Sequence, residues 1–148
     1  MFLTTHAVAS LATLKITQNP TILFGINFLL HYVLDIIPHG DWGFIKGFKN
    51  WKLNYIFLSG LDFFFVCIVS LIYIDFQPHN NINMFSAILG SILPDILWGI
   101  NAFLKLKFLK VFENLNSWAH NVWGNQQEQR IYFLIQLLTI GIALLIIY

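Results

Sequence analysis

Long apolar stretches, interrupted by single polar residues, occupy most of this chain. The clearest covers residues 131–148 and contains no charged side chain. Residues 53–74 and 82–104 each hold one charged residue, Asp62 and Asp95 respectively. About 20 mostly apolar residues are needed to cross the roughly 30 Å hydrocarbon core of a bilayer. These three segments are therefore predicted to be transmembrane helices.

Two further apolar segments lie nearer the start of the chain. Residues 20–37 are shorter and carry His31 and Asp35 near their end. Residues 2–16 are the weakest candidate, because threonine, serine and histidine residues dilute their apolar character. This segment is either a short span or a half-buried helix packed against the second. The pattern predicts an all-α fold, with residues 1–148 forming a single integral membrane bundle of four to five helices.

Composition favours the same class of protein. Hydrophobic residues make up 57% of the 148 positions and charged residues only 10%, with a mean hydropathy of +0.69. Soluble domains carry about 25% charged residues, and a chain this short cannot bury so much apolar surface in a water-soluble core. The net charge of +1, without a basic stripe, argues against a nucleic-acid binder. The lone Cys67 excludes a disulfide framework and a cysteine zinc site.

Basic residues predict the orientation in the membrane. The connections 38–52 and 105–130 contain three and four Lys or Arg residues, whereas 75–81 contains none. By the positive-inside rule, the first two connections are cytoplasmic and the third is external. Trp42, Trp51, Trp118 and Trp123 lie in or beside the two basic connections, as expected for an interfacial aromatic belt.

Three of the seven acidic residues lie inside apolar segments: Asp35, Asp62 and Asp95. Placing one unpaired carboxylate at the centre of a membrane helix costs roughly 2.5–3.5 kcal/mol. Such residues need partners, and few lysines or arginines are available within the segments. Histidines and a bound cation are the remaining candidates.

The densest polar stretch begins at His31. His31 and Asp35 are four residues apart and so share one face of a helix. Pro38 favours a helix end near residue 37, and His39 and Asp41 follow in a turn. Nitrogen and oxygen donors this close together suit a divalent ion. The histidines favour zinc, and manganese and magnesium are the alternatives. The plainer interpretation is a structural Asp–His pair followed by a polar helix end.

The other polar residues are predicted to lie in the same half of the membrane as the stretch that begins at His31. Asp62 and Asp95 are each nine residues from the cytoplasmic end of their segments, about 13.5 Å at the helical rise. Pro94 bends a helix beside Asp95 and opens space for a ligand. His6 starts the first segment on the same side, and His120 lies in the second basic connection. This convergence predicts one site in the inner half of the membrane.

The motifs also resemble a known family. They are Thr5-His6, His31-x3-Asp35, Pro38-His39-Gly40-Asp41, Leu93-Pro94-Asp95 and a late His120. Together they resemble the small membrane-bound metal-dependent hydrolases predicted in bacterial inner membranes. That resemblance implies an all-helical membrane fold and metal ligands at five positions, namely His6, His31, Asp35, Asp95 and His120. The residues themselves add His39 as a sixth ligand candidate.

The leading hypothesis is hydrolysis by a metal-activated water. The chain has neither a Gly-x-Ser-x-Gly elbow nor a phosphate-binding glycine loop. For the hydrolase that the resemblance implies, a metal-activated water attacking an ester or phosphodiester is the remaining route. Asp41 or Asp62 would act as general base or would support a ligating histidine. The expected partners are the bilayer and a lipid head group or other membrane-embedded substrate. The alternatives are a non-enzymatic protein with a structural or relic metal site, and a proton or metal-ion transporter.

Overall fold

The structure, a computed structural model, describes residues 1–39, 51–76, 81–122 and 129–148, and these ranges are helical with no strand. The predicted all-α class is confirmed. The α-helices, numbered here in chain order, are α1 (Leu3–Ala12), α2 (Pro20–Ile36), α3 (Trp51–Phe76), α4 (Asn81–Leu104), α5 (Lys110–Asn121) and α6 (Gln129–Ile147). Short 3-10 turns, Thr13–Lys15 and Lys107–Leu109, follow α1 and precede α5.

Local sequence signals set both ends of α2. The side chain of Asn19 accepts hydrogen bonds from the backbone N–H groups of Thr21 and Ile22, at 3.0 and 3.2 Å. Pro20 occupies the first helical position, where its missing N–H costs nothing. The helix ends at Ile36, two residues before Pro38. These ends fix which turn of α2 carries His31 and Asp35.

Two of the described helices are long and apolar enough to cross a membrane. They are α3, over residues Leu53–Phe76, and α4, over Asn81–Leu104. Only 6% of the apolar window of α3 is buried inside the protein, against 39% for α4. So much outward-facing apolar surface is typical of lipid-facing helices rather than of a soluble core. The apolar helices within α2 and α6 are shorter, and a total of four to five membrane helices remains a prediction.

Residues 2–16, the segment with the weakest apolar character, contain α1, which is one of the most buried helices. In α1 every side chain from Thr5 to Leu11 is buried. This helix packs against α3, α4 and α6, and only slightly against α2. Small residues such as Ala7 and Ser10 allow this close packing on several sides, and at ten residues α1 is too short to span a bilayer. The segment is thus a buried helix, and its main partners differ from the expected one.

The closest helix pair is α2 and α4, which share the most extensive interface among the described elements. Gly90 makes this approach possible. A Cβ atom at Gly90 would overlap the backbone carbonyl oxygen of Phe24 and lie 3.0 Å from its Cα. The two helices that carry most of the polar residues are therefore held in backbone contact.

Residues 105–130, which the sequence indicated only as a connection, contain the amphipathic helix α5. Its buried face packs against α2 and α4 and includes Asn116 and Ala119. Its other face is an apolar stripe at helical spacing, which we call the α5 stripe. The α5 stripe consists of exposed Val111, Leu115 and Trp118 on α5, together with Phe108 in the preceding 3-10 turn and Val122 directly after the helix. The spacing of three and four residues was the signal for this helix.

Candidate metal centre

The structure brings together all six residues that the sequence indicated as metal ligands. Four different parts of the fold supply them: α1 gives His6, α2 and its following turn give three, α4 gives Asp95, and α5 gives His120. They form two groups of three, and in each group the potential ligand atoms lie within 4.8 Å of one another. The first group is His6, His31 and Asp95, and the second is Asp35, His39 and His120.

Asp35 lies at the middle of the cluster and is fully buried. Its Oδ1 is 3.1 Å from His6 Nε2 and 3.5 Å from His39 Nε2. Its Oδ2 is 3.2 Å from His31 Nε2 and 3.5 Å from His120 Nε2. Four imidazole nitrogens thus surround a single carboxylate.

Two backbone carbonyls fix how the histidines face this carboxylate. The Nδ1 of His31 lies 2.7 Å from the carbonyl oxygen of Ser91, and the Nδ1 of His39 lies 2.7 Å from that of Ile37. Because a carbonyl oxygen only accepts hydrogen bonds, each Nδ1 carries a proton. In a neutral imidazole the Nε2 of each ring then presents a lone pair towards Asp35.

The contact between His31 and Asp35 consequently lacks a bridging proton when His31 is neutral. Among the described residues, neither His31 Nε2 nor Asp35 Oδ2 has a hydrogen-bond partner, although the two atoms are only 3.2 Å apart. Two buried lone pairs at this distance repel each other unless a positive charge lies between them. A second proton on His31 or a metal ion would supply that charge.

The candidate ligands also contact one another. The ring of His31 stacks on that of His6, with centroids 4.2 Å apart. The rings of His39 and His120 lie 4.6 Å apart. The nitrogen of Met1 also lies 2.6 Å from Asp35 Oδ1.

Asp95 is positioned from α5 rather than from its own helix. Asn116 Nδ2 donates a hydrogen bond to Asp95 Oδ1 at 3.1 Å, and Asp95 Oδ1 lies 3.7 Å from His31 Nε2. One turn further along α5, His120 enters the cluster. Asn116 and the carbonyl of Ser91 contact the candidate ligands, and neither was assigned a role from the sequence. The spacing of four residues between Asn116 and His120 was the available signal.

Asp62, the first of two predicted general bases, has a different set of contacts. Its carboxylate accepts hydrogen bonds from the backbone N–H groups of Leu3 and Thr4 and from the hydroxyl of Thr4. These are the donors at the start of α1, so Asp62 caps that helix from α3. Both of its oxygens are engaged there, and Asp62 belongs to neither of the two groups of three. The other predicted base, Asp41, lies outside the described residues.

A test of the capping role follows from these contacts. We expect Asp62→Asn to lower the free energy of unfolding by about 1 kcal/mol, because one charged acceptor at the α1 N-terminus is lost. Bound metal should not change. Unfolding of the detergent-solubilised protein and metal analysis measure the two effects, with Asp75→Asn at an exposed position of α3 as the control. Unchanged stability with lost hydrolysis would instead support a general base.

No known protein family, curated protein or solved structure matches this chain. The resemblance drawn from the motifs therefore stays a prediction.

Proposed function

We propose that this protein is an integral membrane metalloprotein that hydrolyses an ester or phosphodiester at the lipid interface. The observation that carries the proposal is the buried carboxylate of Asp35 within 3.5 Å of four imidazole nitrogens. Together with Asp95, these residues form a donor set of nitrogen and oxygen atoms. Such sets bind divalent first-row metals, and the four imidazoles favour zinc over manganese or magnesium.

The distances fit a shared ion. Two ligands that each lie about 2.0–2.1 Å from zinc in tetrahedral geometry are roughly 3.3 Å from each other. The nitrogen–oxygen distances around Asp35 and Asp95 run from 3.1 to 3.7 Å. The carbonyl contacts of His31 and His39 hold the ring orientation in which Nε2 is the ligand atom, the usual arrangement for metal-binding histidines.

The exposure of the ligands indicates where water and substrate would reach a bound metal. A divalent ion lowers the pKa of a coordinated water and so provides a nucleophile at neutral pH. His6, His31 and Asp35 have no exposed side-chain surface, whereas Asp95 and His120 are 19% and 22% exposed. Water and substrate would enter from the side of Asp95 and His120. Asn116 would orient Asp95 there.

The surroundings of that side favour a lipid substrate. His120 lies on α5, whose opposite face is the exposed α5 stripe, and an exposed stripe of this size favours insertion into the membrane interface. Lys105, Lys107 and Lys110 come at or just before the start of α5 and would attract an anionic head group, each by about 1 kcal/mol near the surface. By the positive-inside rule this interface is the cytoplasmic one, of the inner membrane if the protein is bacterial.

Metal analysis of the purified protein tests the proposal. Wild-type protein prepared without chelators should contain stoichiometric metal, and His31→Ala should lose most of it. Val33→Ala, an exposed position of the same helix, should keep it. Generic phosphodiester and ester substrates should be hydrolysed by the metal-loaded protein, with loss on chelation and recovery on adding metal. Wild-type protein that purifies without metal, and binds none when it is supplied, would overturn the proposal.

A structural metal site is the second candidate, and the complete burial of Asp35, His6 and His31 favours it. In that case metal removal would lower the unfolding temperature, while no substrate would be hydrolysed at any metal concentration. A closed structural zinc site also takes four protein ligands and leaves no position for water. Hydrolysis that depends on added metal would exclude this candidate.

A further inference from the structure

The number of donors in the cluster exceeds what one zinc ion takes. A structural zinc site has four ligands, and a catalytic site has three ligands plus water. Here six side chains converge, and they divide into two groups of three. Building on the proposed function, we propose that the centre binds two divalent cations, one in each group, with the carboxylate of Asp35 bridging them.

Asp35 contacts both groups through both of its oxygens. Oδ1 lies beside His6 of the first group and His39 of the second, at 3.1 and 3.5 Å. Oδ2 lies beside His31 of the first group and His120 of the second, at 3.2 and 3.5 Å. A carboxylate that belonged to one ion alone would not need to lie this close to the nitrogens of the other group.

The ring contacts support the same division. His6 and His31 stack on each other, and His39 and His120 form a second ring pair. Each ring pair is joined by a carboxylate, Asp95 in the first group and Asp35 in the second. In each group two members are buried and one is partly exposed. With Asp35 as the bridge, the ion of the first group would have four protein ligands and the ion of the second group three. Each ion would also have an open side beside its partly exposed ligand, where water could bind.

The charge of such a centre indicates the class of substrate. Two divalent cations bring four positive charges, whereas the cluster supplies two carboxylates and four imidazoles that bind metal in the neutral form. The remaining positive charge favours an anionic substrate. Paired ions also stabilise the attacking and leaving oxygens of a displacement at phosphorus. Within the proposed function, a phosphodiester is thus favoured over an uncharged ester.

Metal stoichiometry and spin coupling test the two-ion centre. The full-length protein in detergent, loaded with Mn²⁺ alone, should bind two ions and give the multiline electron paramagnetic resonance signal of a coupled pair. His120→Ala removes a partly exposed ligand of the second group. It should bind one ion and give the six-line signal of isolated Mn²⁺. Asn121→Ala, at the adjacent exposed position of α5, should behave as wild type.

The outcomes separate this inference from the proposed function. One ion in the wild type, with an uncoupled signal, would overturn the two-ion centre and leave a mononuclear metalloprotein. No bound ion would overturn both. If His120→Ala does not fold, His120→Asn serves as the second variant, and two coupled ions retained in the folded variant would also contradict the inference.

The charge argument predicts a substrate preference. The metal-loaded protein should hydrolyse phosphodiester substrates at least tenfold faster than matched carboxylic esters, and the reverse preference would contradict the charge argument.

Discussion

Replacing Asp35 by asparagine is expected to remove metal from the centre. The amide has nearly the same shape but no charge, and it places N–H donors or a neutral oxygen where the imidazole lone pairs meet. We expect metal affinity to fall by at least about 100-fold, more than the loss typical of residues that only support a ligand. Equilibrium competition with a chromogenic chelator measures the change.

The control is Asp75→Asn, the same substitution at an exposed position of α3. It should leave metal affinity unchanged. If Asp35→Asn keeps wild-type affinity, the carboxylate is not a ligand. If chelators leave the unfolding temperature of the wild type unchanged, the cluster is a metal-free network in which His31 carries the second proton. Asp35→Asn would then break a buried ion pair with His31 and lower the free energy of unfolding by about 3–5 kcal/mol. This loss would be the same with and without added metal.

The second large effect is expected for Gly90→Ala. The added methyl group would overlap the carbonyl oxygen of Phe24, and backbone cannot move aside as a flexible side chain can. Helices α2 and α4 would have to separate. We expect a loss of about 1–3 kcal/mol in the free energy of unfolding, as for other overpacked interiors. Metal affinity should fall too, because the next residue, Ser91, accepts the hydrogen bond from His31.

Gly25→Ala is the matched control, since Gly25 adjoins Phe24 on α2 but has nothing within 4 Å of an added Cβ. Alanine in a helix interior should stabilise the protein there by about 0.5–1 kcal/mol. Chemical unfolding of both variants in the same detergent gives the comparison. Equal midpoints for Gly90→Ala and the wild type would show that the two helices are not in backbone contact.

The long helices were predictable because their apolar residues are continuous. Residues 82–104, indicated as one segment, lie within the single helix Asn81–Leu104. Helix α5 was not predictable by that criterion, because its apolar residues come singly or in pairs between polar ones and never form a long run. Its signal was the spacing of Phe108, Val111, Leu115 and Trp118. A search for membrane spans passes over a helix that is apolar on only part of its surface.

The cluster could be anticipated from the free-energy cost of burying a charged carboxylate in an apolar segment, because that cost is offset only when the carboxylate has a partner. That argument could not distinguish Asp62 from Asp95, because the two occupy similar positions in similar segments. What separates them is tertiary structure: Asp62 meets the free N–H groups at the start of α1, and Asp95 meets His31 and Asn116. Whether such a carboxylate caps a helix or joins the histidine cluster depends on contacts across the fold, which spacing along the chain does not encode.

The members of the cluster lie far apart along the chain, from His6 on α1 to His120 on α5. A ribosome that delivers the chain to the membrane makes Asp35 long before His120, with α3 and α4 synthesised in between. During that interval no nascent intermediate contains all six members of the cluster. The complete cluster therefore forms late in maturation, after α5 has been made.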